Sequence, residues 1–330
     1  MKHFAIEFFL VLLLFAIPTS TLAQMPPLKP LKGTPAPSAP KNPEKFTFIV
    51  AGDNRPAHAT DPQGYVVKTI FKEVKQLALK KQAPAFVLWT GDIIFGKDSS
   101  DPKTIDKQYA EFLAIAATGG AAVYNAPGNH EMNNKDNCPD DTMLKLYLND
   151  TKQAQPYGSF DYGDSHFIAL DSDEPAPPGD KCLCSSYPKG VKPQGYISAK
   201  QMKLLAGDLE ANKTKAHIFI ILHRPLVGYN KDQQLCPKNV SDMTALFTSY
   251  PNVSYVVAGH EHMYYNPQGD CGCAAPPDRT DPGPAPYYLV SGGAGAPLKK
   301  GGFFHYLIFT VDKAKVSVQL ETVDSSTDVD

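Results

Sequence analysis

The strongest constraint on the fold is a set of five apolar runs that each end abruptly in polar residues. One run ends at Pro127-Gly128 and is followed at once by Asn129, His130 and Glu131. The other four runs, at residues 46–52, 85–91, 217–222 and 253–259, end at Asp53, Asp92, His223 and His260-Glu261-His262. In open α/β sheets, ligands bind outside the carboxyl ends of the strands. Five strands that deliver Asp, Asn and His therefore predict a metal site at one sheet edge.

Composition limits the class of protein. The chain has 330 residues, of which 42% are hydrophobic, and a formal net charge of -2. It can bury a sizeable core and is too balanced in charge to be disordered. Without a basic excess, the bulk charge gives no reason to expect nucleic acid as a partner.

The N-terminus predicts export. Met1-Lys2-His3 precedes an apolar run from Phe8 to Ile17, and small residues follow as far as Ala23. This pattern is typical of a secretory signal peptide, here residues 1–23. The alternative is a membrane anchor, but the run is too short to span a bilayer. We expect a secreted or periplasmic protein that has no membrane contact after cleavage.

The rest of the chain divides into two parts. Residues 24–44 are rich in Pro, Lys and Ala and are expected to form an extended linker. Helices are predicted near residues 61–81, 105–117, 198–211 and 241–249, a hairpin over 157–171, and late strands over 287–290, 303–311 and 315–322. Helices that alternate with strands, followed by consecutive strands, predict two packed sheets with helices outside. We treat residues 45–330 as one domain.

Six cysteines lie in loops that leave the predicted site: Cys138, Cys182, Cys184, Cys236, Cys271 and Cys273. In an exported chain they predict disulfides beside the site. A structural zinc site is the competing interpretation, but the sequence has no Cys-x-x-Cys pair. The pairing is not determined by the sequence.

The donor types at the strand ends indicate the kind of metal. Carboxylate oxygens, an amide oxygen and imidazole nitrogens together suit a divalent ion of borderline hardness, such as Mn, Fe or Zn. A site made of oxygen ligands alone would indicate Ca or Mg instead. One or two such ions are the predicted cofactors.

The order of these motifs resembles the calcineurin-like metallophosphoesterase family over essentially the whole mature domain. The resemblance is carried by Asp53, Gly91-Asp92, Gly128-Asn129-His130-Glu131, His223 and Gly259-His260-Glu261-His262. It implies a four-layer α/β/β/α sandwich of two mixed sheets flanked by helices, with a two-metal site at the strand ends.

The resemblance also implies a role for each residue. Asp92 would bridge two ions. The first ion would also be held by Asp53 and His262, and the second by Asn129, His223 and His260. His130 would contact the phosphate or protonate the leaving oxygen. The implied function is hydrolysis of a small phosphate ester by a metal-bound hydroxide, with monoesters favoured. The alternatives are a phosphodiesterase and a catalytically weak metal-binding protein on the same fold.

The chain departs from the family at two positions. The usual Asp-x-His is replaced by Asp53-Asn54-Arg55, and arginine cannot ligate a metal because it has no acceptor. We expect Arg55 to act as a catalytic residue that grips the substrate phosphate; the alternative is that it turns outward to a surface carboxylate. Phe95 stands where the family often has Asp or Tyr, so a carboxylate that orients His130 is missing there. The distant resemblance to purple acid phosphatases therefore lacks the Tyr ligand of their ferric site.

Overall fold

The computed structural model describes residues 26–33, 43–80, 82–98, 100–188, 193–269, 276, 279–280 and 286–324. The predicted signal peptide lies outside the described residues, as do Cys271 and Cys273. Within the described part of the chain, no helix combines the length and the apolarity needed to cross a membrane.

Strands and helices alternate through most of the described chain. In chain order the strands are β1 (Lys45–Ala51), β2 (Phe86–Trp89), β3 (Ala122–Asn125), β4 (Gly158–Tyr162), β5 (Ser165–Ala169), β6 (His217–Leu222), β7 (Val253–Ala258), β8 (Tyr264–Tyr265), β9 (Arg279–Thr280), β10 (Tyr287–Ser291), β11 (His305–Asp312) and β12 (Lys315–Thr322). The helices are α1 (Tyr65–Leu79), α2 (Pro102–Gly119), α3 (Asn129–Met132), α4 (Asp141–Thr151), α5 (Ala199–Ala211) and α6 (Pro237–Thr248).

The strands form two mixed sheets. The first has the order β3-β2-β1-β11-β12-β9, and the second has the order β4-β5-β6-β7-β10-β8. In the first sheet β1, β2 and β3 are parallel, whereas β11 and β12 are antiparallel to their neighbours. In the second sheet β5, β6, β7 and β10 are parallel. Parallel strands of each sheet therefore bring their carboxyl ends to one edge.

Three hydrophobic layers join the sheets and helices. Aromatic rings fill the space between the sheets; for example, Phe48 contacts Phe309 and Phe219 at ring-centroid distances of 4.8 Å and 5.0 Å. The opposite face of β1 buries Ile49 and Ala51 under α1 and α2. A third cluster packs the second sheet against α5 and α6. Burial on both faces explains the continuous apolar runs and confirms the predicted four-layer α/β/β/α architecture.

The predicted helices are confirmed with shifted ends. Ser198 caps α5, because its Oγ accepts a hydrogen bond from the backbone N–H of Gln201 at 3.2 Å. The last predicted helix begins earlier than expected, at Pro237. Helix α4 was not predicted, since it buries only one narrow row of side chains, Met143, Tyr147 and Thr151.

Part of the segment expected to be an extended linker packs on the domain. The backbone N–H of Leu31 donates to the carbonyl of Ser159 at 2.9 Å, and the N–H of Ser159 donates to the carbonyl of Lys29 at 3.1 Å. Leu28 and Leu31 are buried. Residues 26–33 thus lie along β4, where the two leucines of this Pro- and Lys-rich segment supply the apolar contact.

Candidate metal centre

Five strands deliver the residues that the sequence analysis selected as metal ligands. The donors follow β1 (Asp53), β2 (Asp92), β3 (Asn129), β6 (His223) and β7 (His260 and His262). All except His260 are buried. The structure brings these six residues together at the edge where the carboxyl ends of the parallel strands meet.

Four of these residues have a left-handed backbone conformation that L-amino acids rarely adopt. The φ angles are 62° for Asp53, 53° for Asp92, 72° for His260 and 46° for His262. Such strain persists only where the surrounding structure enforces it, and it is concentrated at functional sites. Close packing is part of the enforcement, since a Cβ on Gly259 would collide with the Asp53 carboxylate.

The first cluster of donors contains Asp53, Asp92 and His262. One ligand atom from each residue lies within 4.8 Å of the other two. The His262 Nε2 atom is 3.4 Å from Asp53 Oδ1. Since His262 Nδ1 lies 2.7 Å from the Pro297 carbonyl, it must donate there, which leaves the Nε2 lone pair facing the carboxylates.

The second cluster surrounds the Nε2 atom of His223. This atom lies 3.0 Å from Asn129 Oδ1, 3.1 Å from His260 Nδ1 and 3.2 Å from Asp92 Oδ1. His223 Nδ1 donates to the Thr90 carbonyl at 2.8 Å, so its Nε2 lone pair points into the cluster. Ligands about 2.0–2.2 Å from one ion lie about 3–3.6 Å from each other, which fits these separations.

Buried charge also favours a cation at this place. Burial and the adjacent Asp92 carboxylate raise the pKa of Asp53 well above its usual range. For Asp92, burial also raises the pKa, but His223, His130 and Arg55 together bring it below its usual value. Two buried carboxylates with inward-facing imidazole lone pairs form a donor set that fits one or two divalent ions.

Glu131 fixes the backbone that carries Asp92. Its Oε2 accepts from the N–H groups of Asp92 at 2.8 Å and Gly128 at 2.7 Å. Its Oε1 accepts from the N–H groups of Ile93 at 2.8 Å and Ile94 at 3.1 Å. Glu131 is fully buried, so its carboxylate orients these neighbours rather than facing solvent.

His130 lies at the start of α3 beside Asp92. Its backbone N–H donates to Asp92 Oδ1 at 3.1 Å, and its ring Nε2 is 3.9 Å from Asp92 Oδ2. The ring Nδ1 is hydrogen-bonded to the carbonyl of Phe95. The main chain at Phe95 thus orients the ring although the side chain cannot. Burial lowers the pKa of His130 well below its usual value, so the free imidazole is neutral.

Arg55 turns inward to the centre. Its backbone N–H donates to the Asp92 carbonyl at 2.9 Å, and its Nε lies 3.5 Å from Asp92 Oδ2. Its NH1 donates to the Pro56 carbonyl at 3.3 Å. The side chain is only 17% exposed. The next histidine along the chain, His58, is exposed and pairs with Asp61 at 2.8 Å rather than with the centre.

Sequence reasoning missed one buried ion pair at the site. Arg224, directly after His223, donates from Nε to Asp173 Oδ1 at 2.8 Å, and its NH1 lies 3.2 Å from His260 Nε2. Gly195 leaves the space for this arginine, because a Cβ there would collide with the Arg224 side chain. The same signal, a polar residue just after a strand, could have identified both Arg224 and Asp173.

Two disulfides brace the loops around the centre. Cys138 pairs with Cys184, and Cys182 pairs with Cys236. They tie together the loops that follow α3, β5 and β6. Disulfides beside the site were predicted and are confirmed for these four cysteines, which are not available as ligands of a structural zinc.

Reduction of these disulfides is expected to lower stability. Each cross-link restrains the unfolded chain and typically contributes about 2–4 kcal/mol. Thermal unfolding with and without reductant should give a clearly lower Tm in the reduced protein. Thiol titration of the denatured, non-reduced protein is the control. Six free thiols in that control, or an unchanged Tm after full reduction, would contradict the expectation.

Comparisons with known proteins show the family and the fold of the chain. The family model for calcineurin-like phosphoesterase matches residues 41–264. A purple acid phosphatase from yellow lupin (Lupinus luteus) seeds superposes with a TM-score of 0.57 at 17% identity, over 87% of this chain and 53% of that one. A dimetal phosphatase from Danio rerio gives 0.56 at 16% identity, over 84% of this chain and 99% of that one.

These comparisons differ in what they establish. At such low identity the two structures establish the fold alone, and the chain spans about half the length of the lupin protein. No curated protein sequence gives a match. The family model covers more than half of the chain and includes every strand end that carries a predicted ligand. The chain therefore belongs to the calcineurin-like phosphoesterase family, whose members use a dinuclear metal centre.

Proposed function

We propose that the protein is a secreted or periplasmic metal-dependent phosphomonoesterase whose catalytic domain spans residues 45–330. The observation that carries the proposal is the pair of donor clusters that share Asp92 at one sheet edge. The two disulfides support an oxidising compartment. The substrate class is a small phosphate ester.

Each donor residue is assigned to one of two ion positions. Asp53 and His262 would hold the first ion, Asn129, His223 and His260 would hold the second, and Asp92 would touch both. Mn, Fe or Zn ions held there would polarise a phosphoryl oxygen and lower the pKa of bound water to about 7. Hydrogen bonds from the other ring nitrogen orient the imidazole donors, as when Nδ1 of His223 and of His262 donates to a main-chain carbonyl.

His130 is proposed to act on the leaving oxygen. Its Nδ1 is held by the Phe95 carbonyl, so Nε2 is the atom that faces the site. A phosphate dianion beside Nε2 would stabilise the imidazolium and raise the pKa of His130 from its lowered value. The protonated ring could then donate to the oxygen of the departing alcohol.

Arg55 is proposed to bind the phosphate. Its guanidinium lies at the centre and is only partly exposed. Its Nε has no hydrogen-bond partner among the described residues. A bidentate contact from a guanidinium fits two phosphate oxygens. The same positive charge opposes the first ion, which has three protein ligands, whereas the second has four. We therefore expect the second ion to bind more tightly.

Substitution of Arg55 tests this role. Arg55→Ala should lower kcat/KM by about 10- to 100-fold, because a hydrogen bond to a charged group contributes about 1.5–3 kcal/mol. Arg55→His should raise occupancy of the first site by restoring an imidazole. Steady-state kinetics and metal content by mass spectrometry are the readouts. Lys203→Ala, on the exposed face of α5, is the matched loss of a positive charge.

One combination of results would contradict this role of Arg55. Unchanged kinetics in Arg55→Ala, together with unchanged metal stoichiometry in Arg55→His, would remove Arg55 from both the phosphate site and the first metal site.

A catalytically weak metal-binding protein is the second candidate, and the replacement of a ligand by Arg55 is the observation that favours it. Hydrolysis of an aryl phosphate and of a bis-aryl phosphate, measured with Mn, Fe and Zn, separates the possibilities. The proposal predicts metal-dependent turnover of the monoester and slower turnover of the diester. Preference for the diester would indicate a phosphodiesterase. Bound metal without turnover of either ester would indicate the binding protein.

A further inference from the structure

Helix α2 buries one polar side chain among the apolar residues that pack it on the first sheet. Gln108 is only 5% exposed and lies beside the apolar row of Ile105, Tyr109, Phe112 and Ala116. A buried amide is unfavourable unless it is hydrogen-bonded. The burial of Gln108 therefore depends on specific partners outside the helix.

The partners of Gln108 are two backbone N–H groups in the loop that follows Asp92. Its Oε1 accepts from the N–H of Phe95 at 2.6 Å and from the N–H of Gly96 at 3.4 Å. Only the oxygen of an amide can accept from two donors, so these contacts fix the orientation of the Gln108 side chain. Together with the contacts of Glu131, they give every backbone N–H from Asp92 to Gly96 a side-chain acceptor.

The loop held by Gln108 lies directly against His130. The Phe95 carbonyl accepts from the ring Nδ1 of His130, and the two aromatic rings meet edge to face with their centroids 5.8 Å apart. A Cβ on Gly96 would collide with the His130 carbonyl, so the loop passes too close to α3 for a side chain at that position.

One peptide group connects Gln108 to the His130 ring. The carbonyl of Phe95 and the N–H of Gly96 belong to the same planar trans peptide and point in opposite directions. Gln108 binds the N–H side of this peptide, and the ring Nδ1 of His130 binds the carbonyl side. A rotation of the peptide would break both contacts, so the side chain from α2 restrains the acceptor that orients the ring.

We propose that Gln108 is a positioning residue for His130, which it orients through the peptide between Phe95 and Gly96 so that Nε2 is directed at the leaving oxygen. The inference rests on the proposed phosphoesterase function. A carbonyl can only accept, so Nδ1 keeps its proton and the proton that is transferred is the one on Nε2. As the ester P–O bond breaks, its electron pair stays on the departing oxygen, which takes that proton and leaves as the alcohol.

The first experiment compares two esters that differ by one methylene, 4-nitrophenyl phosphate and 4-nitrobenzyl phosphate. The nitrophenolate leaves as a stable anion, whereas the benzyl alkoxide needs a proton as it departs. Gln108→Met keeps the length and the helix propensity of the side chain but removes the amide oxygen. We expect it to lower kcat for the benzyl ester by about 10-fold, part of the roughly 10²- to 10⁴-fold effect of general acid catalysis, and kcat for the aryl ester by less than about twofold.

The ratio of the two kcat values does not depend on how much of a preparation is folded. A purely structural role of Gln108 would lower both rates by the same factor. Gln108→Glu keeps an acceptor oxygen and should retain the wild-type ratio. If Gln108→Met yields no folded protein, Gln108→Asn, whose oxygen falls one carbon–carbon bond short of the loop, should shift the ratio in the same direction. Gln76→Met, at an exposed position of α1, is the matched control and should leave the ratio unchanged.

A double-mutant cycle tests whether Gln108 acts through His130. His130→Gln removes the proposed acid and should lower kcat for the benzyl ester by about 10²-fold or more, with a much smaller change for the aryl ester. Because Gln108 would then have no ring to orient, adding Gln108→Met to His130→Gln should change the ratio no further.

The positioning role and the proposed function fail on different results. An unchanged ratio in folded Gln108→Met, or a further change of the ratio in the His130→Gln background, would overturn the positioning role while leaving the phosphoesterase function intact. If the metal-loaded wild-type protein hydrolyses neither ester, the proposed function is wrong and the role of Gln108 fails with it.

Discussion

Asp92→Asn is expected to lower turnover by about 10³-fold or more. The loss of an essential electrostatic group lowers turnover by a similar factor in other active sites. Asp92 is the residue common to both donor clusters: its Oδ1 lies 3.2 Å from His223 Nε2, and the residue also groups with Asp53 and His262. The asparagine side chain has one oxygen, which can ligate one ion, and one NH₂ group, which cannot ligate the other ion and repels it.

Metal content distinguishes this explanation from simple unfolding. Mass spectrometry of the purified variant should give a loss of about one ion relative to the wild type, while Tm of the metal-free proteins stays similar. Asp312→Asn, which removes a half-exposed surface partner of Lys45, is the matched control and should retain full activity. Normal turnover and normal metal content in Asp92→Asn would contradict the assignment of the centre.

Glu131→Gln is expected to lower the free energy of unfolding by about 2–6 kcal/mol. The two oxygens of Glu131 accept from four backbone N–H groups, two on each oxygen. Burial and the nearby Asp92 carboxylate raise the pKa of Glu131 to about 8, although backbone N–H donors lower it in part. Because all four hydrogen-bond partners are donors, the carboxylate that forms above this pH is the form that satisfies them all. A glutamine replaces one oxygen with a donor, which leaves two buried N–H groups unpaired at about 1–3 kcal/mol each.

Denaturant unfolding of the metal-free protein measures this loss without any contribution from bound ions. Because two of the affected N–H groups belong to Asp92 and Gly128, metal affinity should fall as well. Glu111→Gln is a control at a partly exposed carboxylate that accepts from one backbone N–H, that of Gln63. Equal unfolding free energies for wild type and Glu131→Gln would show that the four contacts do not restrain the site.

The sequence predicted the parts of this protein that depend on local pattern. Runs buried on both faces, such as β1, must be strands inside a layered fold, and the polar residues after them must reach one edge. That logic identifies Asp53, Asp92 and His223 from the sequence alone. Glu131 was harder to interpret, because its role comes from contacts with the backbone of another loop.

Features that depend on distant contacts were not predictable. The pairing of Cys138 with Cys184 spans 46 residues, and nothing in the local sequence distinguishes it from other pairings. The packing of Leu31 on the edge strand β4 likewise depends on a surface that only the fold creates. The Phe95 side chain suggested that His130 lacks an orienting group, whereas the main-chain carbonyl at Phe95 supplies one.

The most direct test of the two-ion centre is an anomalous-scattering map from crystals of the Mn²⁺-loaded protein. We expect two peaks about 3.5–4 Å apart, with Asp92 between them. One peak should lie about 2.0–2.2 Å from His223 Nε2, Asn129 Oδ1 and His260 Nδ1, and the other near Asp53 and His262, with lower occupancy beside Arg55. The absence of any peak at these donors, or peaks elsewhere in the molecule, would contradict it.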